Sequence, residues 1–179
     1  MINSKMERIL AIDPGTRYMG FAVLEGQELV YYAIKTIKDR RTPGRIFHRS
    51  KEFLREFIEA YNPDIVAIEK PFVYQISAAM VSALADELKR EARRLGLPVY
   101  QYTPTAVRGF LCESEAATKA DVAKILGGMF PELQHFLNPM HEWTEKYYSN
   151  IFDAIAVGLM CQHDLESYEA PPSEAREAA

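Results

Sequence analysis

Three carboxylates stand where apolar stretches stop or begin. Ile9-Leu10-Ala11-Ile12 runs into Asp13, Ile65-Val66-Ala67-Ile68 runs into Glu69, and Asp153 directly precedes Ala154-Ile155-Ala156-Val157. An ionised carboxylate at the end of a buried run is costly or shifts its pKa unless something compensates its charge. A hard divalent cation is one such compensator, since Mg²⁺ selects carboxylate oxygens. Each acid alone also has a plainer explanation. Asp13 fits an Asx-turn ahead of Pro14-Gly15, and Asp153 fits an acid complementing a helix dipole. If the strands ending in Asp13 and Glu69 are parallel neighbours, both acids emerge at one sheet edge, and a shared role becomes the better reading.

The elements that must deliver them follow from the hydrophobic pattern. Residues 9–24 read as two apolar strands around the Pro14-Gly15 turn. A third strand covers 29–37, with Val30, Tyr32, Ile34 and Thr36 on one face. Thr42-Pro43 opens an amphipathic helix that Asn62-Pro63 closes. A strand over 64–69, a long helix over 77–95 closed by Gly96, and a strand over 97–102 come next. A short helix spans 105–111, and Thr118-x-x-Asp121 starts another as a capping box. Residues 132–143 read as irregular, and 147–162 as the last helix. The order β-β-β-α-β-α-β-α-α-α predicts an α/β fold, a five-stranded mixed sheet with helices on both faces.

Composition bounds the partners. The 179 residues suit one domain, here 1–163, followed by an acidic stretch 164–179 that reads as a disordered tail. No run approaches a membrane span, and Cys112 and Cys161 have no metal-ligand spacing, so the expectation is a cytoplasmic protein with reduced thiols and no membrane partner. A net charge of −4 argues at first against nucleic acid. The 164–179 stretch carries all of it, and 35–55 holds a local +6. Arg40, Arg41, Arg45 and Arg49 within that run are candidate phosphate contacts, although a charge run also makes an ordinary solvated face. On the 77–95 helix, Met80, Val81, Leu84, Ala85, Leu88 and Ala92 form a stripe wider than one sheet contact requires, which suits an isologous dimer.

The chain resembles the RuvC-type Holliday-junction resolvases of the ribonuclease H-like superfamily. The matching stretches are Ala11-Ile12-Asp13-Pro14-Gly15-Thr16 with Gly20-Phe21, Asp64 to Glu69 with Phe72, Thr118-Lys119-Ala120-Asp121-Val122, and Asp153-Ala154-Ile155-Ala156-Val157. Actin-like and sugar-kinase ATPases share the first motif, so the ordered set carries the resemblance. It implies a ribonuclease H-like fold and a dimeric endodeoxyribonuclease that cuts branched DNA by two-metal hydrolysis, with Mg²⁺ or, in its place, Mn²⁺. Asp13, Glu69 and Asp153 carry over as metal ligands and catalytic groups. The fourth metal position, usually an acid or a His, is Asn150 here, whose amide oxygen is a weaker ligand. Lys119 matches a lysine near the scissile phosphate, Arg108 a commonly basic position, and Phe72 an aromatic wedged into the junction. Taken alone, Lys119 is an ordinary first-turn lysine and Phe72 an ordinary core cap. A nuclease acting on RNA or flaps, and a non-catalytic nucleic-acid-binding relative, remain the alternatives.

Overall fold

A computed structural model describes residues 7–71, 76–137 and 142–169. Strands β1 (Arg8–Asp13), β2 (Tyr18–Glu25) and β3 (Glu28–Thr36) form an antiparallel meander. Helix α1 (Pro43–Tyr61) then leads to β4 (Ile65–Glu69), and α2 (Ile76–Arg94) leads to β5 (Val99–Tyr102). Helices α3 (Pro104–Cys112), α4 (Lys119–Met129) and α5 (Glu142–Glu169) complete the chain. The sheet order is β3-β2-β1-β4-β5, with β1, β4 and β5 parallel. This is the expected five-stranded mixed sheet.

Alternation along the strands builds two cores. Leu10, Ile12, Phe21, Val66 and Ile68 face α1 and α2, where Phe21 stacks on Phe57 at 4.4 Å between ring centroids. Ile9, Ala11, Ala22, Ile65 and Ala67 face α5, with α3 and α4 packed beside it. The second set is small near the sheet centre because α5 lies close on it. A Cβ on Gly20 would fall 1.8 Å from the Asn150 carbonyl oxygen, and one on Gly158 would fall 2.3 Å from Leu24. Glycine in these two places sets how near the last helix approaches the sheet.

Caps and stops appear where the sequence placed them, except that α3 starts at Pro104 on a Thr103 cap and not at 105. Thr42 and Thr103 accept the helix N–H groups of Arg45 and Ala106, each with Pro in the first turn. Thr118 and Asp121 form a complete capping box, and Asn62 ends α1 in the left-handed region.

Three expectations need correction. Val30 does not share a face with Tyr32 and Ile34. The β2–β3 register passes from Val23↔Tyr31 to Leu24↔Leu29, so Val30 is the extra residue of a bulge and Leu29 packs on the α5 side. The segment expected to be irregular contains a 3-10 helix, Pro131–Leu137, held by buried Leu133 and by Phe136 against Tyr148 and Phe152. Helix α5 is longer than 147–162 at both ends and runs to Glu169, into the stretch read as tail; residues 170–179 lie outside the described residues. Among the described residues no helix is long and apolar enough to cross a membrane.

Candidate metal centre

Strand parity places the first two acids. Ile12 pairs with Ile68 across the parallel β1–β4 register, and both point toward α1 and α2. The next residue in each strand, Asp13 and Glu69, therefore points to the opposite face, toward α5. Asp153 comes down onto the same spot from α5, one helical turn after Asn150, whose carbonyl rests on Gly20. Ligand oxygens of Asp13, Glu69 and Asp153 all lie within 4.8 Å of one another. Asp13 is 6% exposed and Asp153 9%, so water screens little of their mutual repulsion.

The protonation pattern records that conflict. Burial, and then the facing charges of Glu69 and Asp153, hold the Asp13 carboxyl well above the usual carboxylate range. Glu69 is raised by burial and then by Asp153. A hydrogen bond between Asp13 and Glu69 raises the first and lowers the second, as for two carboxyls sharing one proton. Burial also raises Asp153, against the pull of Lys119 and Arg108.

Cations answer part of the charge. The Lys119 ammonium, presented by the first turn of α4, donates to Asp153 Oδ2. Burial works to lower the Lys119 pKa, but Asp153, Asp13 and Glu69 outweigh it and the net shift is upward. Arg108 reaches the rim from α3 and donates to the Glu115 carbonyl at 3.4 Å. Glu69, Arg108, Lys119 and Asp153 line a cleft of about 310 Å³ whose apolar wall includes Pro71, Val81 and Val107. Three hard oxygen donors, two of them buried and Glu69 half-buried, with an ammonium already seated on one of them, fit a divalent cation.

A family model described as Crossover junction endodeoxyribonuclease RuvC matches residues 9–160. The chain belongs to the RuvC family. The RuvC of Hydrogenovibrio crunogenus is 28% identical over 166 residues, covering 90% of this chain and 89% of that protein. The RuvC of Geotalea uraniireducens is 36% identical over 129 residues, 66% of this chain and 73% of its own length. Among solved structures, Thermus thermophilus RuvC in complex with a Holliday junction substrate superposes with a TM-score of 0.68 at 23% identity, covering 90% of this chain and 95% of that one. The yeast mitochondrial Holliday junction resolvase Ydc2 gives 0.63 at 13% identity over 91% and 83%. These two likenesses establish the ribonuclease H-like fold. RuvC proteins are metal-dependent endonucleases, which accords with the acidic cluster.

Not every residue singled out from the sequence converges here. Asp13, Glu69, Asp153, Lys119, Arg108 and Asn150 do. Asn150 meets the site through its amide nitrogen, which donates to Asp13 Oδ2 at 2.7 Å. Phe72 lies outside the described residues. Arg40, Arg41, Arg45 and Arg49 sit on the β3–α1 side, away from the cleft lining. Three of those four are engaged internally: Arg41 and Arg45 on Asp39, and Arg49 on Glu52 and Glu56. Gly20 escaped the sequence reading as a positioning residue. Its signal was an isolated glycine opening an apolar strand.

Proposed function

We propose that this chain is a Mg²⁺-dependent endodeoxyribonuclease that cuts four-way DNA junctions as a homodimer. The observation that carries the reading is the cluster of buried Asp13 and Asp153 with half-buried Glu69, their oxygens within 4.8 Å of one another, opening into a cleft that also bears Lys119 and Arg108. Asp13, Glu69 and Asp153 would hold the metal, with Asn150 offering a neutral amide oxygen as a weaker fourth ligand. Bound there, Mg²⁺ supplies a water nucleophile of lowered pKa and countercharge for the departing 3′-oxygen.

The chain's own groups do the rest. Lys119, paired with Asp153 and lining the cleft, would meet the charge growing on the phosphate. Arg108 holds phosphate at the rim. The apolar wall keeps bulk water from the reacting end of the cleft. Half-buried Met80 and exposed Ala79 and Ala83 on α2 suit the partner face of a homodimer. We assign the protein to the cytoplasm, consistent with free Cys112 and Cys161.

Cleavage of end-labelled four-way junction, flap, duplex and RNA–DNA hybrid with Mg²⁺ or Mn²⁺ tests this. Junction-selective incision that Asp13→Asn abolishes, with junction binding retained, is expected. Equal cutting of duplex or preference for the hybrid overturns the substrate. Incision by the Asp13→Asn variant at the parental rate overturns the site.

A further inference from the structure

The charges of this acidic chain are sorted by place. Most lysines and arginines on α1 and α2 are already matched, among them Lys51 with Glu87 and Arg55 and Arg94 with Glu91, and Lys35 of β3 is matched with Glu56 of α1. Arg41, Arg45 and Arg49 belong to this matched set, through Asp39, Glu52 and Glu56. A different group forms no salt bridge among the described residues. Arg17, Lys38, Arg40 and Lys70 are all exposed and stand outside every such pair, Lys70 acting on Asp86 only at longer range. Arg17 rests its guanidinium 5.0 Å over the Tyr18 ring and touches no acid.

Topology puts these four along one line. Arg17 lies in the turn before β2, and Lys38 and Arg40 follow the end of β3. Both positions are at the edge where β1 ends in Asp13, because β2 runs antiparallel to β1 and β3 antiparallel to β2. The Ile37 N–H donates to the Arg17 carbonyl at 2.9 Å, which fastens the two turns side by side. On the other flank Lys70 follows Glu69, its N–H bonded to the Tyr102 carbonyl at 2.8 Å at the end of β5. From the end of β3 to the end of β4 is three spacings of about 4.8 Å, about 14 Å in all, the axial rise of about four phosphates of one DNA strand.

We propose that Arg17, Lys38 and Arg40 on one side, and Lys70 on the other, are the backbone-phosphate contacts that carry a nucleic-acid strand across the acidic site, and that Arg41, Arg45 and Arg49 are not. The inference rests on the nuclease reading above and adds to it which basic residues touch DNA. A matched arginine must surrender its carboxylate before it takes a phosphate. An unmatched one exchanges only small counterions. The sorting also explains how a protein of net charge −4 engages a polyanion.

The test compares two full-length triple variants, Arg17→Gln/Lys38→Gln/Arg40→Gln and Arg41→Gln/Arg45→Gln/Arg49→Gln. Anisotropy of a fluorescein-labelled four-way junction is titrated at several KCl concentrations without divalent metal, and both variants are melted to compare their folds. The unmatched set should flatten the slope of log K against log salt by about 0.9 per contact, up to about 2.7 in all. The matched set should stay within about one third of that change. Equal slopes for parent and unmatched variant, or an equal loss in the matched variant, overturn the track while leaving the nuclease reading intact. A parent with no salt-dependent junction binding overturns both.

Discussion

Asp13 is asked to be charged in a place that resists charge. Its raised pKa means that the folded, metal-free chain binds more protons than the unfolded one between the ordinary carboxylate value and the shifted one. Stability from this group is therefore complete below about pH 4 and is lost as pH rises through the folded pKa. In EDTA, Asp13→Asn should melt above the parent at neutral pH, with a gap that closes toward about pH 4. One kcal/mol corresponds to about 2–4 °C in a chain of this size. Adding Mg²⁺ should reverse the order, since binding stabilises only the chain that retains its ligands. A gap independent of pH would refute the buried-charge explanation. Asn150 presents the complementary case. Its amide quiets one oxygen of Asp13 without adding charge. Asn150→Asp adds a fourth carboxylate, so it should lower the Mg²⁺ concentration for half-maximal junction cleavage and lower the melting temperature in EDTA. Asn150→Ala should raise that concentration. A parent that needs less metal than the Asp variant would show that the hydrogen bond outweighs the charge.

At the scale of elements, the site depends on how closely α5 lies on β1 and β2. Gly20→Ala would set a methyl group 1.8 Å from the Asn150 carbonyl oxygen, so helix and strand must part. We expect a stability loss of about 1–3 kcal/mol, as for overpacked cores. Cleavage should fall about 10²-fold, because Asp153 rides on the displaced helix. A melting curve and a single-turnover cleavage rate check this; parental values in both would place the helix elsewhere. Much of this arrangement was legible beforehand. Apolar runs that stop at Asp13 and Glu69 revealed strand and acid together, and Thr42-Pro43 and Thr118-x-x-Asp121 marked two helix starts. What escaped depends on partners distant in sequence. The bulge at Val30 answers to β2, and the 3-10 helix answers to Phe136 packing on α5. The basic run 35–55 looked like open charge because its carboxylates include Glu56, Glu87 and Glu91, beyond the run itself.

For the whole molecule, one cleft confronts a substrate with more than one strand to cut. A four-way junction has two-fold related strands, and an isologous dimer offers two clefts with the same relation. Helix α2 divides its apolar residues accordingly. Leu84, Ala85, Leu88 and Ala92 are spent on the α1 core and Val81 on the cleft wall, while Ala79 and Ala83 remain exposed and Met80 half-buried. The polar length of the same helix is tied to α1 by Lys51–Glu87 and Arg55–Glu91, which brace α2 against the core. Ala83→Arg would put a guanidinium near its own symmetry mate and leave the acidic cluster untouched. The variant should keep the parental melting temperature in dilute solution and shift the light-scattering mass at micromolar concentration from two chains toward one. On junction substrate it should accumulate singly nicked product, since two independent encounters replace one paired event. A parent of strictly monomeric mass would remove this assembly. So would an Ala83→Arg variant that stays dimeric and resolves junctions without a nicked intermediate.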